Sequence, residues 1–325
     1  RFYDITDEGN FEGFNIPNLI KNEIPAEEKD NLDSMRKKLF EYRERRIHPY
    51  KDDKILTSWN GLMIAAMACG GRILGDDKYT FAAEKAAEFI LSKLVRDDGR
   101  LLARYRDGEA AYPAYVDDYA FIIWGLIELY ETTYKPQYLK KALSLNDDLI
   151  RLFWDSKNGG LFLYGNDSEE LIVKPKEIYD GATPSGNSVA TLNFLRLARL
   201  TGQHELEELA NKQFSLFGKN IGRMARGHAF LLTALLFSQS KSREVVLVGN
   251  NFKDTESMVN IIRQHFSPFT LSMLYSEQHT ELKDLAPYVE NYKPLEGKAT
   301  AYICENFSCK APITDNTKFM EAISN

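Results

Sequence analysis

One pattern restricts this chain to few folds. Three times, a helix that is apolar nearly all round is followed, after a short break, by a helix with one apolar stripe and one charged face. The all-round members start at polar residues: Asn60 before GLMIAAMACGGRILG, Asp118 before YAFIIWGLIELYE and Asn187 before SVATLNFLRLARL. Their companions are YTFAAEKAAEFILSKL, QYLKKALSLNDDLIRLFW and ELEELANKQFSLF. A helix apolar on every side must be enclosed, whereas a striped one can face water. Inner and outer helices therefore alternate, and the starts recur roughly every 60–70 residues, as a repeated unit would. A further apolar helix, HAFLLTALLFS, begins near His228 and has no outer companion.

Such hairpins close into an α/α toroid, and their short breaks suit antiparallel neighbours. The expected fold is mainly α, a partial toroid of about four hairpins over residues 1–240. Part of the ring is expected to lie upstream of Arg1, or the ring to be open. A charged helix opens at Pro25–Ala26, with Leu32, Met35, Leu39 and Tyr42 at helical spacing. Two long links rim the second and third inner helices. LLARYRDGEA carries an Asp107-Gly108 turn, and GGLFLYGNDSEELIVK reads as the better hairpin. After Ser240 the pattern becomes strand, helix, strand: REVVLVG, DTESMVNIIRQHF, FTLSMLY and KATAYIC. Residues 241–325 are expected to form a small α/β appendage with a parallel pair.

The composition narrows the function. A net charge of −6 without a basic stripe argues against nucleic acid. The longest apolar runs are too short to span a bilayer, so no membrane is expected. VLVGNN lacks both GxGxxG and a Walker lysine, which argues against a nucleotide. No HxH, HExxH or CxxC occurs, so neither metal nor cofactor is expected. Cys304 and Cys309 could hold a metal with partners elsewhere or form a disulfide, while Cys69 reads as core. No signal peptide is seen, but the chain starts abruptly at Arg1 in a segment that reads as mid-domain, which leaves a leader or domain upstream open. The cytoplasm is the favoured compartment, and the sequons at Asn166 and Asn306 carry little meaning without secretion.

Chemistry gathers where the inner helices start. Asp52, Asp53, Thr57, Trp59 and Asn60 form one cluster. Tyr112, Tyr115, Asp117, Asp118 and Tyr119 form the second, and Asp180, Thr183, Ser185 and Asn187 the third. His228 holds the equivalent place in the fourth. Each polar residue could be an N-cap and nothing more, since its oxygen accepts orphan backbone N–H groups. Yet Asp117 with Asp118 is one carboxylate more than a single helix start needs, and tyrosines and a tryptophan are interleaved. Opposed carboxylates serve glycoside chemistry as acid and as base or nucleophile. A histidine among them could abstract a proton beside a carbonyl. The candidate catalytic residues are Asp53, Asp118 and His228. The candidate substrate contacts are Trp59, Asn60, Tyr112, Tyr115, Asp117, Tyr119, Asp180, Ser185 and Asn187. His48, His204, His265 and His279 are assigned no role.

The strings HPYKDDKILTSWNGLMIAA, VDDYAFIIWGLIELYE, DGATPSGNSVATLNFLRLA and ATAYICENFSCKAP together resemble one family. It comprises thioredoxin-domain proteins with a six-hairpin, glycosidase-like toroid, the spermatogenesis-associated thioredoxin-like proteins among them. The resemblance runs over most of the chain, from FYDITDEGNFEGFNIPN onward. It implies a thioredoxin-like domain upstream and a barrel like those of N-acylglucosamine 2-epimerases and unsaturated glucuronyl hydrolases, of which this chain is the C-terminal portion. On the residues themselves, the convergent Asp, His and aromatic set, the expected function is a carbohydrate-active domain, a glycoside hydrolase or a sugar epimerase or isomerase, with a sugar-like small molecule as partner. A non-catalytic binding or scaffold module beside the upstream domain is the alternative.

Overall fold

The computed structural model describes residues 2–169, 172–276, 281–305 and 308–324. It divides into two units, Arg1–Asp53 and Lys54–Asn325. In the first, the Asn10 side chain donates to Asp4 O and Ile16 O and accepts from Ile16 N–H, closing an irregular turn. A 3-10 turn at Ala26–Glu28 leads into α1 (Lys29–Arg43), which has no buried residue. Its stripe of Met35, Leu39 and Tyr42 is exposed.

The second unit begins with β1 (Ile55–Leu56) and the first hairpin, α2 (Thr57–Leu74) and α3 (Asp77–Lys93). β2 (Leu102–Arg106) and β3 (Glu109–Pro113) follow, and the three strands form an antiparallel sheet in the order β1-β2-β3. Asp107 and Gly108 both take positive φ, 52° and 83°, as a two-residue hairpin turn requires. α4 (Val116–Thr133) with α5 (Pro136–Phe153), α6 (Gly186–Thr201) with α7 (His204–Arg223), and the unpaired α8 (Ala229–Gln239) continue the arc. α2, α4, α6 and α8 pack in succession, each paired helix against its own companion. This is the expected open portion of an α/α toroid. Along α4 almost every residue is buried, whereas α7 buries only Leu206, Ala210, Gln213 and Phe217.

The segment GGLFLYGNDSEELIVK departs from expectation: among its described residues it forms no hairpin, only a bridge between Leu161 and Trp154. Its backbone is claimed elsewhere. The Asn187 side chain accepts from Leu161 N–H at 2.8 Å and donates to Leu161 O at 2.9 Å. Leu163 O accepts from Val116 N–H at the head of α4.

β4 (Arg243–Val248), α9 (Phe252–Gln264) and β5 (Thr270–Tyr275) form the expected parallel unit. After α10 (Glu281–Leu285), β6 (Thr300–Glu305) and β7 (Ser308–Cys309) complete a sheet ordered β5-β4-β6-β7, and α11 (Asn316–Ser324) ends the fold. Val245, Leu247, Met258, Ile303 and Phe319 form its own core. Cys304 and Cys309, opposite one another on β6 and β7, are joined in a disulfide. No helix of the described residues is long and apolar enough to cross a membrane.

Candidate functional site

The inner helices of the second unit all start at one end, because acidic side chains tie their first turns together. Asp118, in the first turn of α4, accepts from Tyr115 N–H at 2.8 Å and, through its other oxygen, from Ser58 N–H at the head of α2, also at 2.8 Å. Asp117 accepts from Gly186 N–H, the first residue of α6, at 2.8 Å. Asp180 accepts from Ser185 N–H with one oxygen and from Phe230 N–H and Leu231 N–H, in α8, with the other. Each helix start has orphan N–H groups. Here a neighbouring element supplies their acceptor, so a local rule of capping becomes a tertiary one.

The other predicted residues of this unit sort into those inside the rim and those on it. Asn187 is fully buried and also donates to Glu177 O. His228 is buried with Nδ1 at 2.8 Å from Ile178 O. Ser185 caps α6, accepting from Ser188 N–H. Tyr119 lies in the core, its hydroxyl accepting from Leu101 N–H and Arg100, so its ring is not on the surface. Asn60 is half-buried and donates to Leu56 O. Trp59, Tyr112 and Tyr115 are exposed, and the Arg104 guanidinium lies over the Tyr112 ring. Asp53 is exposed and belongs to the first unit. His279 and Asn306 lie outside the described residues.

Asp117 and Asp118 differ in what remains free. Burial pushes the Asp118 carboxyl up to about 6 against its two backbone N–H bonds. Burial also raises the Asp117 carboxyl, the neighbouring Glu177 carboxylate adds to the effect, and one N–H bond opposes it. Only one Asp117 oxygen accepts a hydrogen bond among the described residues. Asp118 would have to give up a cap to act on a ligand; Asp117 would not. Glu177, exposed and beside Asp117, was not singled out from the sequence, where it lies in a link without helical spacing.

A second group escaped the sequence reading. At the opposite, C-terminal ends of the inner helices, Arg196 pairs with Glu128 at 2.7 Å and with Glu131, and Arg72 pairs with Glu128 at 2.9 Å. Charged residues in the last turns of the otherwise apolar α2, α4 and α6 were the available signal. Cys69, expected in the core, is half-buried and lines a cavity there. Among the described residues no cluster of three His, Cys, Asp or Glu side chains is placed to hold a metal.

No protein-family model matches the chain. Spermatogenesis-associated protein 20 from Homo sapiens is 33% identical over 296 residues, 87% of this chain and 38% of that protein. The Rattus norvegicus protein of the same name is 32% identical over 290 residues, 86% of this chain and 37% of its own length. An uncharacterized Caenorhabditis elegans protein is 32% identical over 302 residues, 89% and 40% respectively. Among solved structures, a GH76 α-mannanase from Bacteroides thetaiotaomicron is 15% identical with a TM-score of 0.48, over 72% of this chain and 67% of that one. A cellobiose 2-epimerase from Spirochaeta thermophila is 16% identical with a TM-score of 0.44, over 59% and 55%. Neither likeness assigns a residue role or a substrate here. The chain spans about two fifths of the length of its sequence relatives. Over that segment the chain is a homologue of spermatogenesis-associated protein 20.

Proposed function

We propose that the N-terminal rim of the inner helices binds a sugar-like molecule and acts on it by acid–base catalysis, with Asp117 as the proton donor. The observation that carries this reading is the state of Asp117: a carboxyl with a raised pKa and one oxygen uncommitted, at a rim where Asp118 and Asp180 are locked into caps. A carboxyl whose pKa is raised by burial is better suited to protonate a leaving group than one at its ordinary value. The exposed rings of Trp59 and Tyr115, on the first turn of α2 and the cap of α4, suit the apolar faces of sugar rings. Glu177 is the carboxylate beside it, and Asp53 and His228 are the further candidates from the sequence. Asp118 braces α2 against α4.

The full chain is screened with mono- and disaccharides and sugar phosphates by thermal shift, and turnover is measured on any that stabilise it. Asp117→Asn keeps an amide oxygen for Gly186 N–H, so the fold survives, while kcat falls about 10²–10⁴-fold. Asp53→Asn and His228→Gln, assayed alongside, show whether either shares the chemistry. Full activity in Asp117→Asn, or no sugar that shifts the melting temperature, ends this reading.

The capping bonds of Asp118 and Asp180 and the loop-holding bonds of Asn187 favour a second reading, a non-catalytic module that serves an upstream thioredoxin-like domain. Partner capture that survives Asp117→Asn but is lost on Trp59→Ala would support it.

A further inference from the structure

The cavity at the far end of the inner helices has donors to spare. It measures about 540 Å³, within the range of small-molecule sites. One wall is the concave side of the arc, with Trp124 and Phe230 packed edge to face at 5.0 Å between centroids. The other is the segment joining α9 to β5, whose Phe266 stands exposed at the lip.

Three guanidinium groups, Arg72, Arg196 and Arg263, line this space against two carboxylates, Glu128 and Glu131. Part of that charge has a structural use. Cations near helix C-termini offset the macrodipole. Glu131 also accepts from Ser272 N–H and so docks β5 on the arc. The pairing nevertheless leaves a remainder. Arg196 is spent on Glu128 and Glu131. Arg72 Nη1 and Arg263 Nε are buried without a hydrogen-bond partner among the described residues. Arg72's neighbour there is the Cys69 thiol, which burial keeps protonated and which is a weak acceptor. A buried donor without an acceptor costs about 1–3 kcal/mol, and both of these belong to side chains that line the cavity.

We propose that this cavity is a binding site for a small ligand carrying an oxyanion on a flat apolar body, its carboxylate or phosphate taken by Arg72 and Arg263 and its body by Trp124 and Phe230. Guanidinium groups favour both oxyanions, and the apolar wall favours a ring over a bare ion. The site is at the opposite end of the helices from Asp117 and does not depend on the chemistry proposed there.

Isothermal titration calorimetry of the full chain with benzoate, phenyl phosphate, inorganic phosphate and benzyl alcohol tests it. Saturable 1:1 binding of benzoate or phenyl phosphate is expected, with inorganic phosphate and benzyl alcohol at least tenfold weaker. Whichever of the first two binds tighter identifies the headgroup. Arg72→Gln strips a partner from buried Glu128 and can unfold the chain, so Arg263→Gln carries the result. Arg263 Nη2 donates to Thr132 O, so the shorter glutamine gives up one backbone contact but strands no carboxylate. Arg263→Gln is expected to weaken binding at least tenfold, and Asp117→Asn to leave it unchanged. Equal binding of benzyl alcohol, no binding of either aromatic anion, or unaltered affinity in Arg263→Gln overturns the proposal.

Discussion

Asp118 stores opposing demands in one side chain. Two backbone N–H groups favour its charged form, and burial favours the neutral one. With a folded pKa of about 6, above the ordinary aspartate value of about 3.9, the unfolded chain releases this proton first as pH rises. The folded state then binds more protons than the unfolded state, so stability falls between roughly pH 4 and 6, by about 3 kcal/mol at most. Asp118→Asn removes that slope. It also turns one amide nitrogen toward a backbone N–H, losing one cap at a cost of about 1 kcal/mol. Urea midpoints at pH 4.5 and 7.0 are expected to drop further for the wild type than for the variant; equal drops would contradict this account.

Among the elements, the closest meeting is that of α2 with α4. A Cβ on Gly61 would stand 2.5 Å from Phe121 C and 2.6 Å from Ile122 N, backbone atoms that cannot rotate away. Gly125 faces Gly61 O in return, at 3.0 Å from its own would-be Cβ. This approach brings Ser58 N–H within reach of Asp118. Gly61→Ala gains helix propensity of about 1 kcal/mol but overpacks the crossing, by about 3 kcal/mol or more. A net loss of about 2 kcal/mol is expected in chemical denaturation, and a variant as stable as the wild type would show that the helices can separate freely.

The same crossing explains what was legible beforehand. Inner and outer helices announce themselves because burial on all sides and burial on one side leave different periodicities. The polar residues at their starts were legible as a group, since only such residues cap. Which N–H each would take was not, because Asp117 reaches Gly186 across 69 positions and only after α4 and α6 have packed. The missed link between α5 and α6 is the same case: LFLY has strand composition, but its Leu161 pairs with an amide side chain 26 positions away. The charged cavity was hidden because Arg72, Glu128 and Arg196 lie in separate, mainly apolar helices, and a linear reading does not put them together.

For the whole molecule, that charged group links three inner helices and, through Glu131 and Ser272, the α/β part. Burial pushes the Glu128 carboxyl up, but Arg196 and Arg72 outweigh it and hold it at about 2. A carboxyl depressed in the folded state supports stability above its unfolded pKa of about 4.3 and withdraws it as pH falls toward 2. Arg196→Met strips buried Glu131 of its cation and leaves Glu128 with Arg72 alone, and is expected to cost about 3–5 kcal/mol at pH 7. The loss between pH 5 and 2.5 should shrink in that variant. Melting temperatures across this range test both statements, and a variant matching the wild type at each pH would refute them.

The interlocked helix starts have a last consequence, for dissection. In a solenoid each module touches only its neighbours through like interfaces, so arrays of different length can close over a missing one. Here α6 cannot leave without uncovering Asp117, nor α8 without emptying one side of Asp180. Trimming this arc by a single module exposes raw polar groups in the module that stays behind, so it tolerates being cut only where no such clasp crosses.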